Sequence, residues 1–407
     1  MSSDHPAAHA RLQFFVGKGG TGKTTLAAAT AVAAAGGRRV KLISLDQAHS
    51  VADVLGTRDQ SPTDRLDVLE LDTLSLAEKR FGDLGSLLAL GGNHEHGDRL
   101  HSLAPEELLG VPGVEGLLGL HEIARHAASG DYDVIVVDCP SSAEALRLLG
   151  SPAMVSDYIE RLWPRHERMV AVTGTDPKLL VLVSMVERVV AGLHEIREVL
   201  CDRERTSVRL VTIPSKVAVL ETRRTLAALA LTQLNVDALF VNNVFPQCDS
   251  GSGSDAVNEW MTTLQAAQND AIAGLSHAVG HLRPRTITSA ASEPVGLADL
   301  GEIAGQMYAG DEDAAAVLDS SIPPIRVALE SGRGLDSVYA MRMYLPVVDP
   351  STLTLGRVED DVVVGADGVR RRVRLVSVLR RCTVSGAELD GDDLVIRFVP
   401  DRQVWPT

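Results

Sequence analysis

Four glycines, two lysines and two threonines make up the run Gly17-Lys18-Gly19-Gly20-Thr21-Gly22-Lys23-Thr24, which fits the spacing G-x-x-x-x-G-K-[ST]. Such a loop can cradle a phosphate chain. Glycines let backbone N–H groups turn inward with no Cβ in the way, and the helix that follows adds its positive end. In that pattern Lys23 contacts the β- and γ-phosphates of a nucleotide, the Thr24 hydroxyl ligates Mg2+, and Thr25 reaches a further phosphate oxygen. Gly17, Gly19, Gly20, Thr21 and Gly22 form the cradle itself. Two acids complete the candidate set. Asp138 ends the apolar run Tyr132–Val137 and is placed to hold the Mg2+ shell through water, while Asp46 ends a run that begins at Arg38.

These side chains need a scaffold, and the flanking patterns supply one. Leu12–Phe15 reads as a short buried strand and the Ala-rich Leu26–Ala35 as a helix, so the loop lies between strand and helix as phosphate binding requires. Arg38–Asp46 reads as a second strand with its carboxylate at the C-terminal end, where open parallel sheets bind ligands. Asp46 has a competing use as the N-cap of a helix at Val51–Leu55. Arg209–Pro214 and Ala238–Asn243 read as further strands. Residues 73–130 and 153–200 carry helical spacing, broken at Gly91–Gly97, Trp163-Pro164 and Asp176-Pro177. In the second stretch Met154, Leu162, Leu179, Leu182, Met185, Val186 and Val189 supply apolar surface for either an open groove or a closed bundle. His94, Glu95, His96 and His101 lie in a Gly-flanked loop rather than a metal-ligand pattern. His121 and His126 are five apart, not the four that H-E-x-x-H needs.

A chain of 407 residues suits one large and one small domain. Its net charge of -15 argues against a nucleic-acid partner, which needs a basic face. The start Met1–Pro6 lacks the basic and apolar regions of a signal peptide, and no run approaches the ~18 apolar residues of a membrane span. A cytoplasmic protein that is not integral to a membrane is expected. Cys139, Cys201, Cys248 and Cys382 lie far apart with no C-x-x-C pair, which indicates neither zinc nor a disulfide framework.

Lys18 makes the loop similar to the deviant Walker A form, G-K-G-G-x-G-K-T-T, of a dimeric class of P-loop NTPases. Asp46-Gln47-Ala48-His49-Ser50 resembles the D-P-A-H-S switch I of the arsenite-pump ATPase and tail-anchored-protein targeting ATPase family, with Gln47 in place of proline. Pro112-Gly113-Val114-Glu115 resembles that family's P-G-I-D turn. Asp138 to Leu149 is similar to its switch II, with Ala143 and Glu144 replacing glycine and histidine. Leu220-Glu221-Thr222 resembles its L-Y-E-T-E-R helix, Val241-Asn242-Asn243 its I-V-N-Q strand, and Glu293-Pro294-Val295-Gly296-Leu297 a late E-P-x-G-L loop. The resemblance spans roughly residues 11 to 310. It implies ATP as cofactor with Mg2+, and a homodimer in which Lys18 reaches the partner's nucleotide. It also implies Asp46 as the residue that positions the attacking water and Asn242 as the one that hydrogen-bonds adenine. Cys248 stands where the targeting ATPase has a zinc-binding C-x-x-C, so a zinc-stapled dimer is not expected.

The expected fold is α/β, a mostly parallel P-loop NTPase sheet with helical insertions over 1–312, then a linker at 313–324 and a small all-β sandwich over 325–407. Ala387 and Leu394 fit the A-x-x-x-n-G-v-L signature of α-crystallin-like domains. The function expected is an ATPase whose dimer motion chaperones or targets a hydrophobic protein segment or lipid-like client. The alternative is a subunit energising arsenite or metalloid export with a membrane partner, which clustered thiolates would favour.

Overall fold

The computed structural model describes residues 9–46, 50–72, 75–76, 113–173, 177–246, 255–279, 282–308, 313–316, 325–345, 348–366 and 368–405. The loop with His94, Glu95, His96 and His101, the residues 47–49, Cys248 and the stretch 317–324 lie outside them.

Apolar β-branched and aromatic runs that are buried on both faces favour a parallel sheet covered by helices. β1 (Arg11–Gly17), β2 (Val40–Ser44), β4 (Val134–Ser141), β5 (Thr206–Thr212) and β6 (Val236–Val244) are such runs. With β3 (Leu66–Glu70) and β7 (Pro284–Thr288) they form a seven-stranded sheet in the order β3-β2-β4-β1-β5-β6-β7. Every adjacent pair is parallel. One face packs on α1 (Lys23–Ala35), α2 (Val51–Leu55) and α9 (Leu297–Met307), with Leu26, Val51 and Leu300 in that core. The other face packs on α3 (Val114–Ala128), α4 (Ser142–Leu162), α6 (Pro177–Cys201), α7 (Lys216–Leu231) and α8 (Asp255–Ala278), through residues such as Ile123, Ala145, Leu200, Leu229 and Leu275.

The helical stretch after Ser141 is a three-helix layer. α4 runs unbroken for 21 residues with Pro152 inside it, and α5 (Arg165–Val172) follows the break at Trp163-Pro164. Arg168 ties the layer together. Its guanidinium, 1% exposed, pairs with Glu187 of α6 at 2.7 Å and Glu160 of α4 at 3.1 Å, and donates to the Trp163 carbonyl.

Arg209, fully buried on β5, donates to the carbonyls of Ala314 and Ala316 at 2.9 Å, to Tyr308 Oη at 2.7 Å, and pairs with Asp237 at 3.4 Å. Gln13 Nε2 also donates to Ala314 O, at 3.0 Å. Residues 313–316 are thus packed against the sheet, with Ala314 and Ala315 buried.

The C-terminal part is two antiparallel sheets, β10-β11-β12 (Thr354–Val358, Asp361–Ala366, Val369–Arg374) and β13-β14-β9-β8 (Cys382–Asp390, Asp393–Pro400, Val338–Tyr344, Arg326–Ser331). Met341, Val362, Val364, Ile396 and Phe398 fill the space between them. Ala227 and Leu231 of α7 join the same core, and Arg371 donates to Gln233 Oε1 at 3.0 Å, so the small domain is seated on the large one.

Four strands were not expected from the sequence: β3, β7, β8 and β13. All four are sheet edges, where one side faces solvent and charged residues such as Asp67, Arg285 and Glu330 interrupt the apolar run.

Candidate active site

The loop expected to cradle phosphate leaves β1 at its C-terminal end and enters α1 at Lys23. Gly22 has φ +87°, a left-handed backbone that suits glycine, and a Cβ there would run into the side-chain amide of Asn242. A Cβ on Gly17 would meet the Val211 carbonyl of β5. Glycine is therefore required at both ends of the loop, by strands that press on it from the side. Gly19 and Gly20 lie exposed at its tip.

Inside the loop the Lys18 carbonyl accepts from Thr21 Oγ1 at 2.8 Å and from Lys23 Nζ at 3.4 Å. Lys23 is buried, so its ammonium points into the loop rather than to solvent. Thr24 Oγ1 donates to Asp138 Oδ2 at 2.8 Å, and Ser50 Oγ donates to Thr24 Oγ1 at 3.4 Å. Thr25, half-buried, follows on the first turn of α1.

Asp138 sits in β4 between β1 and β2, paired in register with Phe15 and Ser44. Burial pushes its carboxyl up to about 6, and the nearby Asp46 carboxylate acts in the same direction, while the Thr24 hydrogen bond and Lys23 oppose them. Its Oδ1 is buried with no hydrogen-bond partner. A dry carboxylate oxygen next to a threonine hydroxyl is a donor set that fits a hard divalent cation, so these residues suit Mg2+.

Asp46 lies two residues beyond β2, its carbonyl accepting from Ser44 Oγ at 3.4 Å. The N-cap position of α2 belongs to Ser50, so the capping use of Asp46 is not realised. The first turn of that helix is held instead by Glu70 at the end of β3, which accepts from Ala52 N at 3.2 Å. Sequence reading passed over Glu70 because its strand is an edge. Asn242 reaches the loop from the neighbouring sheet strand. Its Nδ2 donates to the Thr21 carbonyl at 2.9 Å, bracing the loop from β6 across 221 positions of sequence. Lys18, half exposed, pairs with Glu221 of α7 at 3.5 Å.

The structure thus gathers Lys23, Thr24, Asp46 and Asp138 at the C-terminal ends of β1, β2 and β4, with Lys18 at the rim and Asn242 behind the loop. Against known families, the model for anion-transporting ATPases matches residues 10–309. The chain belongs to that family. A second match, to the HSP20-like domain found in ArsA, covers residues 336–398 and accounts for the two antiparallel sheets. Among curated proteins the chain is 41% identical to protein Rv2184c of Mycobacterium tuberculosis, with 100% of each chain covered. It is 26% identical to a putative arsenical pump-driving ATPase 1 of Aquifex aeolicus, over 95% of this chain and 99% of the relative. It is 28% identical to the ATPase GET3 of Kluyveromyces lactis, over 58% of this chain and 73% of the relative. This anion-transporting ATPase family member is accordingly an ATP-hydrolysing enzyme with a small heat-shock-like domain at its C-terminal side. Among the described residues no helix is long and apolar enough to cross a membrane.

Proposed function

We propose that the chain works as a homodimeric ATPase whose opening and closing shields or presents a hydrophobic client. The observation that carries this reading is the helix Ser142–Leu162. Its first turn follows the phosphate-site strand β4, and its far half bears Met154, Tyr158 and Leu162, exposed by 64%, 56% and 68%. These three recur every fourth residue and so share one face. Met169 and Val170 of α5 and Leu182 and Val189 of α6 are also exposed, whereas Val183, Leu193, Ile196 and Leu200 turn inward. Outward apolar side chains on three tied helices supply the kind of surface that binds apolar partners.

In this reading Lys23 and the loop N–H groups bind the phosphates, and Asp46 orients the attacking water. Lys18 supplies positive charge to the partner's nucleotide, where negative charge builds up in phosphoryl transfer. Thr24 and Asp138 would hold Mg2+, which when bound neutralises phosphate charge. Asn242 is assigned to adenine by resemblance; its bond to Thr21 uses one Nδ2 hydrogen, and the other hydrogen and Oδ1 are the groups a base would engage.

The test uses a fluorescent apolar helical peptide of about 20 residues and the Asp46→Asn protein held in ATP. ATP-dependent binding that Met154→Asp and Leu162→Asp each weaken about tenfold or more supports the client role. Binding that ignores both substitutions overturns it.

A second reading, energising metalloid export with a membrane partner, is favoured by the name of the Aquifex relative. Soft As(III) prefers clustered thiolates. The described cysteines are separate: Cys139 is buried in β4, Cys382 is buried in β13, and Cys201 ends α6.

A further inference from the structure

Glu221 holds two bonds that belong to different parts of the site. Its Oε1 accepts from Ser142 Oγ at 2.7 Å, and its Oε2 lies 3.5 Å from Lys18 Nζ. Ser142 is the buried first residue of α4, and Lys18 is the extra lysine of the loop. Glu221 itself stands on firm ground. The neighbouring Thr222 is tied to Thr212 of β5 through a 2.9 Å hydroxyl contact, so α7 is anchored to the sheet. All three side chains border one crevice beside Gly17 and Val211.

We propose that Glu221 is a positioning residue that holds Lys18 in cis while two copies are apart and releases it when α4 shifts. This rests on the reading above that Lys18 serves the partner's nucleotide. A lysine ammonium paired with Glu221 on its own chain is not extended toward a second chain. Ser142 aims the carboxylate, since fixing Oε1 leaves Oε2 toward Lys18, and displacement of Ser142 with α4 removes that aim. The pair is 50% exposed at Lys18 and 26% at Glu221. An ion pair so open to water biases an equilibrium by only about two- to fivefold. That is weak enough for a phosphate chain of higher charge to win the lysine.

The experiment measures nucleotide-dependent dimerisation by light scattering with a non-hydrolysable ATP analogue, alongside kcat and KM. Glu221→Gln keeps the shape and a hydrogen bond for Ser142 but loses the charge. It is expected to lower the protein concentration at the dimerisation midpoint about two- to fivefold with KM unchanged. Ser142→Ala is expected to shift the midpoint the same way, and in a Lys18→Ala background Glu221→Gln is expected to shift nothing. A Glu221→Gln midpoint equal to or above wild type, or a shift that survives Lys18→Ala, overturns the proposal. Should Glu221→Gln fold poorly by thermal melting, Glu221→Asp carries the same expectation through its shorter reach. Lys18→Ala alone separates the two readings. Full-rate hydrolysis by Lys18→Ala removes the trans role itself, whereas slow hydrolysis together with a silent Glu221→Gln removes only the latch.

Discussion

Thr24 Oγ1 donates a 2.8 Å hydrogen bond to Asp138 Oδ2, joining the first turn of α1 to the end of β4 across 114 positions of sequence. The carboxylate is nearly dry, and burial has pushed it up to about 6. Its folded pKa is thus above the unfolded value near 3.8, so the folded protein holds the proton more tightly. Stability from this group is present below the unfolded pKa and is lost as pH rises through the folded one, by about 3 kcal/mol at most. Melting of metal- and nucleotide-free protein between about pH 4 and pH 7 should show that loss, and Asp138→Asn should remove it. Adding Mg2+ with ATP analogue should raise the melting temperature of wild type by more than that of Asp138→Asn. Parallel pH curves for the two proteins would remove the assignment.

Lys18→Ala should slow hydrolysis about 10²-fold while sparing most nucleotide affinity, because Lys23 and the loop backbone remain. Mixing it with a hydrolysis-dead copy that retains Lys18 should rescue one site in a mixed dimer. A monomeric ATP-bound state without rescue would leave the trans role unsupported.

For Asp46→Asn, ATP binding should survive and single-turnover hydrolysis should fall about 10²-fold or more, with accumulation of the ATP-bound dimer. Ser50 occupies the cap of α2, so no change in melting temperature is expected from lost capping. Near-normal hydrolysis would take Asp46 out of the mechanism.

Arsenite titrated into the ATPase assay should not stimulate turnover, because the described thiols are dispersed. Several-fold stimulation that vanishes when the cysteines become serine would favour metalloid export instead.

Arg209→Met should destabilise the protein by about 3–5 kcal/mol, since it removes one partner of the fully buried ion pair with Asp237. It should also open residues 313–316 to limited proteolysis, because Arg209 holds the carbonyls of Ala314 and Ala316. Adding Asp237→Leu should recover much of the stability but not the protection.

The central strands and the loop were legible in the sequence because both faces of β1, β2, β4 and β6 are buried and their apolar runs are nearly continuous. The edge strands were not, since half of each faces water and a run such as Leu66–Glu70 alternates too weakly to stand out. Lys23, Thr24 and Asp138 could be grouped from motif spacing alone. The Asn242 bond to Thr21, the Glu221 bridge and the Arg209 clasp could not, because each joins residues brought together only by sheet order.

The unbroken course of α4 has a mechanical consequence. A helix of 21 residues is about 30 Å long, so a tilt of about 5° at Ser142 carries Leu162 through roughly 2.6 Å. That distance exceeds the radius of a methyl group, enough to open or close a contact between apolar side chains. Leverage of this kind runs in both directions. If the phosphate state changes affinity at the Leu162 end by some factor, occupancy at that end must change nucleotide affinity by the same factor.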